Sequence, residues 1–493
     1  MKIMKRAGRP LSWVFDPLEA LSRWPLDRSV LMLHSGRLDR RWARWSVFAS
    51  PVGTYRFVGL DTKPSSGIDR AQPSGRSQWL GPTGSCPIDR FSHKPFADLR
   101  ELLNQSKGIW IGYLGYDLGR WAERFTIGSA TAQDDRGWPI IELGYCPGYL
   151  VHDGLTGSWT ACGLWADPAS RCDRSMPDLA RGQAQQVHVA ATTLSHFLDQ
   201  PAYEHAVAVA KQYIAAGDTF QVNLAHRLTA HLSSDPPLGR LDPRVSRSLY
   251  GQLASVSPAW YGAYLELAPV DADGSSQAVS LAGRLQRAVL STSPELFLRV
   301  DGRRVVTRPV KGTRPASVDP VRLRDSAKDT AELNMIIDLM RNDLGRVCEY
   351  GSVRVTQRRT IESHPTVHHG VATVEGRLHR SKTVVDLLRA AFPAGSITGA
   401  PKVRSMQIID ELEPVRRGPY CGCIGYLGRD QAHLSVAIRT GLADLATGRV
   451  DFSVGGGVVA DSHPAAEYQE TLDKAAAVMS ALGLGPLSVA GGG

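Results

Sequence analysis

Short apolar runs separated by polar turns dominate the first part of the chain. Between residues 11 and 62 the runs Val30-Leu31-Met32-Leu33, Trp45-Ser46-Val47-Phe48 and Tyr55-Arg56-Phe57-Val58-Gly59 predict strands. Residues 63–95 are rich in Ser, Gly and Pro and predict a long loop. Residues 108–117 read as a strand ending in a glycine-rich corner, and further strands are expected at 140–150 and 158–164. The polar stretch 165–198 reads as a linker. Beyond it Tyr203, Val207, Ala210 and Ile214 recur at helical spacing, and Gly217-Asp218 closes that helix. A strand at 219–224, a helix at 240–256 and three strand-like runs within 258–300 follow. Two of these runs flank a Gly- and Ser-bearing insertion, 270–286, expected to be a surface loop. Strands and helices then alternate to the end. The pattern predicts an α+β fold, a layered sheet with helices outside, in units 11–164 and 199–483 joined by the linker.

Composition changes this picture little. The 493 residues are 43% hydrophobic and 21% charged, an ordinary globular balance with room for a large core. The formal charge is +9, but Lys and Arg are scattered rather than clustered, which argues against a nucleic-acid partner and fits anionic substrates. Seven cysteines in irregular spacing argue for a reducing compartment, and Cys421 and Cys423 read as core. No signal-peptide pattern and no bilayer-length apolar run is present, so a cytoplasmic protein without a membrane partner is expected.

Candidate chemistry concentrates in the second half. Pro309-Val310-Lys311-Gly312-Thr313-Arg314-Pro315 reads as a sharp turn holding one lysine. Asp329 and Glu332 follow, three apart on a helix and so on one face. Near the C-terminus Ser462 reads as an N-cap with Pro464 in the first turn, and Glu467, Glu470 and Lys474 form one stripe. Each acidic pair reads either as a solvated helix face or as part of a cation site that needs further oxygen ligands. Gly455-Gly456-Gly457 could offer backbone N–H groups to an anion or mark a bend. Arg439 could grip a carboxylate or mark a sheet edge. Residues 392–402 form a Gly/Pro-punctuated loop before a helix and lack the ending of a Walker motif.

Together these stretches resemble the chorismate-utilising enzymes. The residues that carry the likeness are PVKGTRP, AELNMIIDLMRNDLGRV, FPAGSITGAPKVRSMQIIDELEP, YCGCIGYLG, AIRT, GGGVVADS and AEYQETLDKA, with LMLHSG and GYLGYDLGR in the first half. The resemblance implies two intertwined halves forming a layered β-sandwich. It implies chorismate as substrate and Mg²⁺ as cofactor, with Glu332 and Glu470 as direct ligands and Asp329 and Glu467 behind them through water. The substrate clamp it implies comprises Gly312, Thr313, Tyr420, Arg439, Gly455, Gly456, Gly457 and Lys474. Within the family the chain is similar to the aminodeoxychorismate synthase branch, because anthranilate synthases typically carry Ala where Lys311 stands. In that branch the matching lysine attacks C2 of chorismate, Glu295 of Ser293-Pro294-Glu295 is the general acid, and His369 matches an active-site histidine in a supporting role. No GxCxGxQ-like elbow is found, so ammonia is expected from a separate glutamine amidotransferase subunit, and no lyase domain is expected after residue 480. Some members hold tryptophan in the sandwich. Ser35, Arg44 and Pro258 fall near the matching positions, although Ala259-Trp260-Tyr261 departs from the usual pattern. The competing readings are an anthranilate synthase component I and an inactive, ligand-binding homologue.

Overall fold

The computed structural model describes residues 8–60, 73–82, 84–123, 132–167, 176–235, 242–268, 287–364 and 367–485. The expected loop 270–286 lies outside the described residues, as does part of the 63–95 stretch.

Two large antiparallel sheets carry the fold. The 12-stranded sheet runs, edge to edge, through Arg9–Leu11, Ser158–Gly163, Gly148–Asp153, Trp45–Ala49, Leu31–His34, Tyr261–Leu267, Arg287–Ser293, Thr440–Asp444, Arg449–Val458, Gln221–Asp235 and His188–His196, with Gly399–Ala400 paired to Gln221–Asp235 off this path. The 11-stranded sheet runs through Val310–Pro315, Val367–Arg377, Arg304–Arg308, Leu296–Asp301, Gln431–Val436, Cys423–Gly428, Ile109–Leu114, Ile141–Cys146, Gly53–Leu60 and Ser74–Leu80, with Arg354–Ser363 also paired to Val367–Arg377. Both sheets are built from both halves of the chain. Leu31–His34 pairs with Tyr261–Leu267, with His34 opposite Gly262, and Ile109–Leu114 pairs with Cys423–Gly428, with Leu114 opposite Cys423.

Apolar faces dictate the layering. Leu31, Val47 and Leu265 from one sheet pack with Ile111, Tyr113 and Ile424 from the other to form the interior of the sandwich. Outside the first sheet, helices Pro17–Ser22, Pro243–Val256 and Pro464–Ala481 bury Leu21, Leu249, Leu253, Val478 and Met479 against Phe48, Trp159 and Tyr264. Outside the second, Pro95–Gln105, Ala327–Gly345, Val384–Ala391 and Lys402–Leu412 contribute Leu99, Ile337, Leu388 and Ile408 to another core. Fully burying each such aliphatic side chain contributes about 1.5–3 kcal/mol. Among the described residues no helix is long and apolar enough to cross a membrane. Cys421 and Cys423 are buried free thiols.

Several local expectations need revision. The stretch 309–315 is not a free turn: Val310–Pro315 is an edge strand paired to Val367–Arg377, with a register shift between Val310 and Thr313. The three glycines lie inside the strand Arg449–Val458, opposite Ala225, Leu224 and Asn223. The C-terminal helix has His463 at its N-cap without a side-chain cap bond, while Ser462 turns inward to Glu467. Residues 188–196 of the expected linker and 74–80 of the expected loop are edge strands. Both sit at the outer end of a sheet, where one neighbour is missing and apolar alternation is weak.

Candidate active site

Lys311 stands on the edge strand of one sheet and reaches toward the glycine strand of the other. A Cβ added at Gly457 would lie 3.2 Å from Lys311 Nζ and 2.2 Å from Gln221 Nε2. The absence of a side chain there leaves room for the ends of both side chains to approach the backbone. Gly312 adopts φ 80°, in the left-handed region, and a Cβ on it would come within 3.0 Å of Asp329. Lys311 is thus wedged between the glycine strand and the acidic helix. Desolvation lowers its pKa below the ordinary lysine value, against the opposing pull of Glu332 and, more weakly, of Glu295 and Glu470.

Glu295 follows the strand Arg287–Ser293 at a corner held by Ser293, whose hydroxyl donates to Val436 O at 2.6 Å. It is 3% exposed. Burial pushes its carboxyl from 4.5 up to about 7, opposed by a hydrogen bond from Ser396 and by the charge of Lys311. A buried acid raised to about 7 and a lysine lowered by burial thus act on one another, each moved in the direction that nucleophilic attack with acid-assisted departure needs.

Beside them, Thr313 Oγ1 meets His369 Nδ1 at 2.9 Å, and Arg439 Nη2 meets His369 Nε2 at 3.4 Å. A guanidinium can only donate, so Nε2 accepts and the ring hydrogen sits on Nδ1, donated to Thr313. Desolvation, together with the Arg439 charge, keeps His369 neutral. Arg439 itself adopts φ 50° and has no carboxylate partner among the described residues; burial pushes its pKa down to about 10. A guanidinium with no carboxylate partner suits a carboxylate ligand.

The two acidic pairs face one another from separate helices. Ser326 caps Ala327–Gly345 by accepting from the Asp329 N–H, which sets Asp329 in the first turn and Glu332 one turn on. Burial raises Glu332, and Asp329 and Glu470 add to the rise. Burial likewise raises Glu467, with Glu470 contributing, while the Ser462 hydroxyl opposes it at 2.6 Å. Burial also pushes Glu470 up, but the Lys474 ammonium at 2.7 Å outweighs it and leaves the carboxyl below its usual value. Lys474 donates to Gly455 O at 2.7 Å, and a Cβ on Gly456 would lie 2.9 Å from Glu467 Oε2.

Mutual repulsion among carboxylates of two helices, all offering hard oxygen donors, fits Mg²⁺. They do not form a closed cage. Among the described residues no three His, Cys, Asp or Glu side chains are grouped to hold a metal, and Asp329 is engaged by Arg314 at 2.8 Å. One or two carboxylates completed by water and substrate oxygens is the arrangement Mg²⁺ ordinarily takes.

Tyr420 is buried, its phenol raised by desolvation beside Cys421, Arg417 and Glu413. Ser35 and Arg44 line a separate cavity of about 480 Å³ between the sheets, with Trp42, Trp45, Arg299 and Tyr426. Pro258 does not line it, and Arg44 is already paired with Asp153. The 392–402 stretch offers no open anion loop: Ser396 turns to Glu295, and Lys402 is buried against Asp343 at 2.6 Å.

Two side chains of the site escaped sequence reasoning. Gln221 is 1% exposed, faces Lys311 across Gly457, and its Oε1 has no hydrogen-bond partner. A glutamine inside the apolar run Phe220–Leu224 was the available signal. Ser396, the partner of Glu295, lies in the 392–402 stretch, where nothing marked it as a partner for an acid.

Known proteins resemble this chain along nearly its whole length. The family described as chorismate binding enzyme matches residues 73–480. Aminodeoxychorismate synthase component 1 of Escherichia coli is 35% identical, covering 98% of this chain and all of that protein. Anthranilate synthase component 1 of Streptomyces coelicolor is 34% identical over 92% of this chain and 89% of its own length. The crystal structure of anthranilate synthase component I from Streptococcus pneumoniae superposes with a TM-score of 0.68 at 27% identity, covering 95% and 98% of the two chains.

Proposed function

Because the chain belongs to the chorismate-binding enzyme family, we propose that it is the synthase component that turns chorismate and ammonia into 4-amino-4-deoxychorismate, the precursor of 4-aminobenzoate and folate. The single observation that carries this reading is the pairing of a buried acid near neutrality with a depressed lysine amine at the same site. Neutral Lys311 would add to C2 of chorismate as the C4–oxygen bond breaks, and Glu295 would give its proton so that the hydroxyl leaves as water. Ammonia would then add at C4 while the C2–lysine bond breaks, returning a neutral amine. The proton shed by the new C4 ammonium restores Glu295. Atoms balance: one ammonia enters and one water leaves.

Arg439, Thr313 and Lys474 would hold the substrate's carboxylates, with neutral His369 fixing the Arg439 and Thr313 side chains between them. Gly312, Gly455, Gly456 and Gly457 would let the ring approach the backbone, and Tyr420 would close the wall behind it. Glu332 and Glu470 would hold Mg²⁺ directly, with Asp329 and Glu467 behind through water. When bound, Mg²⁺ withdraws electron density through the ring carboxylate and stabilises charge there. Ammonia would come from glutamine through a separate amidotransferase subunit, a reading supported by relatives named as component 1.

A second reading is anthranilate formation, favoured by the relatives named anthranilate synthase at comparable identity. One incubation separates them. Chorismate, Mg²⁺ and an ammonium salt should yield a product that purified lyase converts to 4-aminobenzoate; direct release of fluorescent anthranilate refutes the proposal.

A further inference from the structure

Glu295 is held from two directions. Its main chain is pinned at the strand corner, where Val436 N–H donates to Glu295 O at 3.0 Å and Glu295 N–H donates to Ser293 Oγ at 3.3 Å. Its carboxyl accepts at Oε1 from Ser396 Oγ at 2.5 Å and takes a further hydrogen bond from the Val310 backbone N–H, and Glu295 and Ser396 are both buried, 3% and 6% exposed. Ser396 sits at the middle of the short turn Gly395–Ile397. That turn cannot drift: Thr398 Oγ1 donates to Ala394 O at 3.0 Å, and Arg417 Nη1 donates to Ile397 O at 2.9 Å. Arg417 is itself clamped by Glu413 at 2.6 Å.

A serine hydroxyl carries one hydrogen. Among the described residues Ser396 has no acceptor for it other than Glu295 Oε1. If Oε1 carried the acid's proton, the buried hydroxyl would be left with only the weak residual lone pair of a protonated oxygen, which is costly. We propose that Ser396 is the positioning residue of the acid: by donating to Oε1 it confines the transferable proton of Glu295 to Oε2. The proton then faces one direction, and the carboxylate formed after transfer keeps a stabilising donor. Ser396 also favours the ionised form, opposing burial. It thus holds the carboxyl within reach of both protonation states, as an acid used once per turnover requires.

The inference rests on reading Glu295 as the general acid, and its test has a readout that does not need the proposed reaction. In Ser396→Ala the limb of the kcat/KM profile for chorismate set by Glu295, measured with an ammonium salt, should move up by about one pH unit. Turnover should fall about tenfold while KM for chorismate stays within about twofold. The protonated-carboxyl infrared band, identified as the one lost in Glu295→Gln, should persist to correspondingly higher pH. Ser396→Cys keeps the volume with a weaker donor and should fall between; it decides the matter if the alanine variant does not fold. A band that titrates at the parental pH in the folded variants overturns the proposal. Absence of ammonia-dependent turnover in the parent, with the band still shifted, overturns the proposed function and leaves Ser396 in place.

Discussion

Replacing Glu295 by Gln should yield a protein that is inactive yet more stable than the parent in mild alkali. The carboxyl titrates at about 7 in the fold against 4.5 for the free group. A carboxyl with a raised folded-state pKa contributes stability that is complete below the unfolded value and is lost as pH rises through the folded one. Between those two values the parent therefore weakens by about 3 kcal/mol, at ~1.4 kcal/mol for each factor of ten. Glutamine imitates the neutral acid at every pH and escapes that loss. The variant should thus gain about 3 kcal/mol over the parent at about pH 8 but only about 1 kcal/mol near pH 5. With unfolding entropy near ~2.1 cal/mol/K per residue, the gain at pH 8 corresponds to a melting-temperature rise of about 3 °C. Paired urea or thermal unfolding at the two pH values measures it. A stability difference that is flat with pH, or a variant weaker than the parent at pH 8, refutes the placement of a strained acid at this corner.

Lys311→Ala should abolish formation of aminodeoxychorismate, and an undiminished product yield by chromatography would remove the lysine from the nucleophile role. In the parent, kcat/KM should be bell-shaped, with one limb set by Glu295 near 7 and the other by Lys311, below an ordinary lysine because burial depresses it. A profile still climbing at about pH 9 contradicts that pairing. Glu332→Gln and Glu470→Gln should each raise the Mg²⁺ concentration needed for half-maximal activity about tenfold or more, and an unchanged requirement means the ligands lie elsewhere. Gly457→Ala puts a methyl 2.2 Å from Gln221 and 3.2 Å from the Lys311 amine. Overpacking of about 1–3 kcal/mol, if borne by the site, lowers turnover about 5- to 150-fold. Parental turnover would show that the pocket yields freely.

Local spacing made much of this site legible. Asp329 with Glu332, and Glu467 with Glu470, announce themselves because three residues on a helix share a face, and the helices lie where periodicity places them. What spacing cannot express is which distant elements meet. Lys311 was legible as a lysine beside a glycine, but its seat on an edge strand comes from pairing with residues more than fifty positions later. Ser396 meets Glu295 across 101 positions, and an isolated serine in a turn carries no trace of that. The strand at 188–196 was read as linker because its residues alternate poorly; only one neighbour pairs with it and most of its side chains are exposed or half-buried. Ser462 looked like a cap by residue type, yet its hydroxyl is spent on Glu467, a choice made by burial rather than by helix grammar.

The seams between the two halves also set a timetable for synthesis. Leu114 must wait for Cys423 before its strand acquires that neighbour, and His34 must wait for Gly262. At about 5–20 residues per second, the roughly 300 residues separating the first pair take on the order of 15–60 s to leave the ribosome. Throughout that interval the N-terminal strands present unpaired edges and half of an apolar interior, the conditions under which nascent chains aggregate or recruit chaperones. The same arrangement makes the protein a natural candidate for assembly from two separately expressed fragments, each supplying the other's missing strands.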